Sequence, residues 1–136
     1  MTIQEVKNYL SQAYYIDKRI CTLQDEITTL QSRLERCTAS YTMLSGGSAQ
    51  PTFEHALDRV LQYRDRLSRE IDTLVTTKAN IKTTINRLEN PKMQLILMEK
   101  YINFHTFEYI AITLSMEQRQ VYRLHKKALE NLCNIL

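Results

Sequence analysis

Between Val6 and Leu44 apolar residues recur in alternating steps of three and four without a slip: Val6, Tyr9, Ala13, Ile16, Ile20, Leu23, Ile27, Leu30, Leu34, Cys37, Tyr41 and Leu44. A period of 3.5 places all of these on one face of a helix and scatters them over both faces of a strand, so the series specifies a helix of about 40 residues, roughly 60 Å long. Thr2 and Glu5, spaced as T-x-x-E, form a capping box that opens it. Both glycines of the chain and one of its two prolines then fall within Ser45–Pro51, which ends the helix in a turn. Thr52 can cap a second helix, with a seam at Phe53, Leu57, Val60, Arg64, Leu67, Ile71, Leu74, Lys78, Ile81, Ile85 and Leu88. Two seams of similar length joined by a short connector predict a long antiparallel helical hairpin, a coiled coil over residues 1–89 with helices at about 3–44 and 53–89. Arg64 and Lys78 interrupt the apolar series. Pairing across the hairpin brings Arg64 close to Arg33 or Glu35 and Lys78 close to Asp17 or Arg19, so the register-fixing ion pairs Arg64–Glu35 and Lys78–Asp17 are expected.

A single two-helix hairpin buries only one stripe of each helix and is marginal in water. Leu10, Tyr14, Leu61 and Val75 widen the seam, so a further helix is needed, either from a second copy of the chain or from the C-terminal segment. A homodimer is the preferred reading. A monomer whose hairpin base is covered by its own last helices is the alternative.

With 43% hydrophobic residues the chain can bury a core. The absence of tryptophan and the scarcity of Gly and Pro agree with an all-α fold. Cys21, Cys37 and Cys133 form neither a CxxC nor an even set, so reduced thiols are expected rather than a disulfide framework or a zinc site. No basic-then-apolar leader opens the sequence and no apolar run reaches a membrane span, so the expected location is the cytoplasm, away from a membrane.

Asn90-Pro91 marks the second joint, with Asn as cap and Pro at the first helical position. A short helix, Lys92 to Ile102, carries Met93, Ile96, Leu97 and Tyr101 on one stripe and Leu95, Met98 and Ile102 on another, so it is expected to be buried on two sides. Asn103-Phe104-His105 then turns the chain. Thr106 can cap a short helix whose apolar side is Phe107, Ile110, Ala111 and Leu114. After a break near Ser115, Val121, Leu124, Ala128 and Leu132 define the inward stripe of another helix. Two short helices joined by a three-to-four-residue turn follow the helix-turn-helix plan, so residues 90–136 are expected to form a small three-helix domain.

The last helix carries Arg119, Arg123 and Lys126 on its outward side, flanked by Gln118, Gln120, Tyr122 and Lys127. No acid lies between Gln118 and Lys127. Arg119/Arg123 and Arg123/Lys127 are like-charge pairs at i, i+4, each costing an isolated helix about 0.2–0.5 kcal/mol, which a polyanion would relieve. Guanidinium groups suit phosphate oxygens and the O6/N7 edge of guanine. These seven residues are therefore the candidate contacts to double-stranded DNA, although net charge over the whole chain is only +3.

Tyr109-Ile110-Ala111, Leu114, Val121, Tyr122-Arg123-Leu124-His125, Ala128-Leu129 and Leu132 together resemble region 4 of bacterial sigma factors. They are more similar still to the sigma-region-4-like C-termini of small phage and prophage proteins, the ArpU/RinA-type late transcription regulators and a related Gram-positive phage family of unknown function. Against that family pattern Ser115 stands where the turn usually has Gly, and Glu117 where Ser or Thr usually caps the recognition helix. The resemblance implies a sequence-specific DNA-binding transcription regulator, to which the apolar surface of the hairpin adds dimerisation. It equally implies an alternative, an interaction protein that binds RNA polymerase or another regulatory factor without touching DNA, with Tyr109 and Ile112 in the interface. No catalytic constellation, metal-ligand set or cofactor motif emerges. Adjacent carboxylates such as Asp25-Glu26 sit on helix surfaces, and His55, His105 and His125 are expected as surface or packing residues, so no enzyme is expected.

Overall fold

The computed structural model describes residues 1–43 and 51–136, with side chains described over 1–36 and 53–136. The described residues are helical, with no strand among them. In chain order they are α1 (Ile3–Leu10), α2 (Gln12–Met43), α3 (Pro51–Ile85), α4 (Pro91–Leu97), a π-helical turn (Met98–Ile102), α5 (Phe107–Thr113) and α6 (Gln118–Ile135). The Ser45–Gln50 part of the expected turn, Thr52 as a cap, and seam positions Cys37, Tyr41 and Leu44 lie outside the described residues or side chains.

Local signals fix the helix starts. Thr2 accepts from the Glu5 amide while the Glu5 carboxylate accepts from the Thr2 amide, the reciprocal capping box. The first helix is not continuous, however. It breaks at Ser11, where the Tyr14 amide bonds the Ser11 carbonyl three residues back and tightens one turn. Asn90 caps α4 through the amides of Lys92 and Met93, with Pro91 at the first helical position.

The chain packs as two compact units, Met1–Ile16 with Leu74–Leu136, and Asp17–Thr73. The first unit thus joins residues 90–136 to α1 and to the neighbouring ends of α2 and α3. Its core takes Val6 and Leu10 from α1, Ala13 from α2, Ile81 and Ile85 from α3, Leu97 from α4, and Ala128, Leu129 and Leu132 from α6, nearly all without solvent exposure. Each fully buried Leu or Ile contributes about 1.5–3 kcal/mol relative to exposure. Tyr9 and Thr84 share a 3.1 Å hydroxyl hydrogen bond beside this core.

In the second unit Ile20, Leu23 and Ile27 of α2 and Val60 of α3 are buried. Arg19 Nε lies 3.4 Å from a Glu70 carboxylate oxygen, and Thr22, Asp25, Thr29 and Arg33 share a cleft with Arg59 and Tyr63.

Along α3 the inward row differs from the expected seam. Phe53, Val60, Leu67, Leu74, Ile81 and Leu88 keep their places, but the alternate row begins as Ala56, Tyr63 and Glu70, each less exposed than the residue after it. Toward the end of the helix Thr77 and Lys78 are both half-buried, and Thr84 and Ile85 both buried. Leu57, Arg64 and Ile71 face solvent, as do Leu61 and Val75. Because Arg64 is outside the seam it needs no buried partner, and neither Arg64–Glu35 nor Lys78–Asp17 is among the ion pairs of the described residues. Lys78 instead places its ammonium 4.9 Å from the centre of the Phe104 ring.

The expected helix 92–102 is present to Ile102, but after Leu97 its last turn widens into a π turn, closed by an Asn103 amide to Met98 carbonyl bond. Tyr101 and Ile102 are both buried, as the two apolar stripes predict, whereas Leu95, also expected inside, is exposed.

Candidate functional site

Helix α6 is held from three sides of the first unit. Its N-terminal half packs on α5 and α4, with Val121 and Ile110 fully buried beside Ile96 and Ala111. Its C-terminal half lies in the larger core, and Arg87 donates to the Ile135 carbonyl at its end. Thr106 caps α5 by accepting from the Tyr109 amide. Between α5 and α6 the chain reverses at Ser115, whose φ of 53° lies in the left-handed region where glycine is unstrained. Glu117 occupies the N-cap of α6 without a side-chain hydrogen bond.

The inward stripe of α6 is Val121, His125, Ala128, Leu129 and Leu132. Leu124, expected on it, is only partly buried, whereas His125 lies fully within the stripe. His125 Nε2 and the Tyr101 hydroxyl are joined by a 2.8 Å hydrogen bond, and the two rings stack with Phe107 edge-on to the imidazole. Burial, reinforced by the positive charges of Lys7 and Lys100, lowers the His125 pKa to about 4, and burial raises Tyr101 to about 12. Both groups are therefore neutral near pH 7 and serve as a polar clasp between α6 and the π turn.

Opposite that stripe the expected contact residues emerge. Gln118, Arg119, Tyr122, Arg123, Lys126 and Lys127 are exposed and Gln120 is half-buried. Among the described residues no carboxylate lies within ion-pair distance of Arg119, Arg123, Lys126 or Lys127. Tyr122 is not free to swing: its hydroxyl accepts from the Gln118 amide nitrogen at 3.3 Å and its ring rests against Phe107, 4.7 Å between centroids.

Two features were not singled out in the sequence. Lys100, in the π turn, sits 4.4 Å over the Phe107 ring, bringing a further cation beside Tyr122's neighbour. The preceding turn is also built around aromatic contacts. Phe104 has φ of 60°, which is strained for a bulky side chain, and its ring is held edge-on by Tyr14 and capped by Lys78. His105 Nδ1 lies 2.6 Å from Glu99 and its ring meets Tyr109. The density of Tyr, Phe and His between 101 and 109 was the available signal. The exposed side of α5 carries Tyr109 and Ile112, the latter 81% exposed.

Among the described residues no helix is long and apolar enough to cross a membrane. Neither a curated protein nor a solved structure matches the chain. The model of the family described as "Protein of unknown function (DUF1492)" matches residues 33–133, most of the chain, and the protein belongs to that family.

Proposed function

We propose that the protein is a sequence-specific DNA-binding transcription regulator, phage- or prophage-like, in which α5 and α6 act as a helix-turn-helix and α6 enters the major groove. The observation that carries the reading is the exposed, unpaired row Arg119, Arg123, Lys126 and Lys127 on a helix whose other side is fixed in a core. A cationic ridge without carboxylate partners is stabilised by phosphate, and a rigid helix can present it in one orientation. Gln118 and Tyr122, already hydrogen-bonded to each other, add polar groups at the leading end of that helix.

In this reading α2 and α3 pair antiparallel as a hairpin. Support comes from Arg19 meeting Glu70 while the later residues Thr22–Arg33 share a cleft with the earlier Arg59 and Tyr63. The outward apolar residues Leu57, Leu61 and Ile71, with Arg64 and Ser68 between them on the same side of α3, support dimerisation through the hairpin, because one face of a long helix can pair with its own copy across a two-fold axis. Two subunits would present two recognition helices to paired half-sites.

A second reading is favoured by one specific feature, the exposed Tyr109 and Ile112 on α5: the module docks on RNA polymerase or another regulatory factor. Mobility shift with a library of upstream duplexes, with and without polymerase, separates the two. DNA binding predicts shifted duplexes without polymerase, enriched for one sequence. Arg123→Ala should weaken binding most on the enriched duplex. Shifts that occur only with polymerase present would replace the first reading by the second.

A further inference from the structure

Lys100 is the cation the ridge on α6 does not include. Its ammonium lies over Phe107, and Phe107 in turn touches Tyr122 and His125, so Lys100 is joined through one aromatic ring to the helix that bears the ridge. A ring face attracts positive charge but leaves the N–H donors of an ammonium group open. Among the described residues Lys100 has no hydrogen-bond or ion-pair partner. Its neighbour in sequence, Glu99, is not turned toward it, because both carboxylate oxygens are engaged by His105 and Asn103. The positive charges of Lys7 and Lys100 both reach His125, which places Lys100 close to α6 itself.

We propose that Lys100 is a phosphate-binding residue of the same surface, held by Phe107 so that it grips the duplex backbone beside the base pairs faced by α6. This rests on the DNA-binding reading above and adds to it a contact from outside the two helices. A lysine that meets a phosphate adds affinity and salt dependence but carries no sequence preference. Arg123, at the centre of the ridge, is the contrasting case.

The test is a set of anisotropy titrations of the full chain against the duplex enriched in the mobility shift and a scrambled duplex of the same length, across salt from about 50 to 200 mM. Lys100→Met keeps an apolar stem over Phe107 and removes the charge. It should weaken both duplexes by the same factor and reduce the slope of log K against log salt by about one, so that its deficit shrinks roughly threefold over that salt range. Lys100→Arg should keep the wild-type slope. In the free protein Lys100→Met should also raise the His125 pKa, read by NMR of the imidazole, because one of two adjacent positive charges is gone. A Lys100→Met slope equal to wild type overturns the proposal and leaves the DNA reading standing. A wild-type protein with no salt-dependent binding overturns both.

Discussion

The two compact units differ in how their helices are held. In the first, side chains from six helices and the π turn converge, and ten large residues there, from Val6 and Leu10 to Leu129 and Leu132, are essentially without exposure. In the second, Ile20, Leu23, Ile27 and Val60 are buried but each retains some exposure, and Leu57, Leu61 and Ile71 stand in solvent on the same helix. The contrast separates regularity from burial. The heptad series runs through both units and guarantees only one shared stripe, so the thicker core of the first comes from α4, α5 and α6, which let several helices close around one centre.

Truncation should expose that difference most strongly. Leu132→Ala, in the first unit, should cost about 2–5 kcal/mol, read as a lowered denaturation midpoint. Leu57→Ala, on the exposed row of the second, should change the stability of an isolated chain by no more than about 0.5 kcal/mol. Equal losses would mean that the second unit has a core as closed as the first.

The polar clasp gives a next, pH-dependent effect. His125 in the folded chain takes a proton only near pH 4, against about 6.5 when unfolded. Its contribution is therefore complete above about pH 7 and is lost as pH falls from 6.5 toward 4, amounting to on the order of 2–3 kcal/mol after allowing for its partial solvation. Chemical denaturation at pH 7 and pH 4.5 should show a markedly smaller fall for the double variant Tyr101→Phe/His125→Leu, which removes both partners together. An unchanged fall would move the acid sensitivity to other groups.

Smaller again is the turn at Ser115. Relieving its left-handed backbone with Ser115→Gly should stabilise the first unit by about 0.5–1 kcal/mol in thermal denaturation. A loss would show that the hydroxyl contributes more than the strain costs. Least visible in the stability of one chain, Leu57→Ser with Ile71→Ser should leave folding within about 0.5 kcal/mol. In the dimeric reading the same pair should halve the mass seen by sedimentation, and an unaltered dimer would exclude this row as its interface.

What could be read from the sequence was mostly short-range. The Thr2/Glu5 box, the Asn90-Pro91 start and the Thr106 cap each depend on residues within one helical turn, and each is present with its hydrogen bonds. The exposed ridge of α6 was legible for the same reason, since its apolar and basic residues are segregated within one helix. The α3 seam was legible only in part, since Phe53, Val60, Leu67, Leu74, Ile81, Ile85 and Leu88 are inward but Leu57, Arg64 and Ile71 are not. Apolarity favoured Leu57 and Ile71, but the inward row takes Ala56, Tyr63, Glu70 and Thr84, where polar groups find partners such as Arg19 and Tyr9 on other helices. The π turn and the Tyr101–His125 and Lys100–Phe107 contacts also depend on tertiary neighbours that no local pattern encodes.

Whether a fixed helix presents unpaired cations to duplex DNA is tested most directly by the wild-type affinity for duplex DNA measured across a salt series. If the four basic side chains of α6 each neutralise a phosphate, log K falls against log salt with a slope of about −3 to −4 per subunit. A flat response, or no binding at low salt, would contradict that role for the helix.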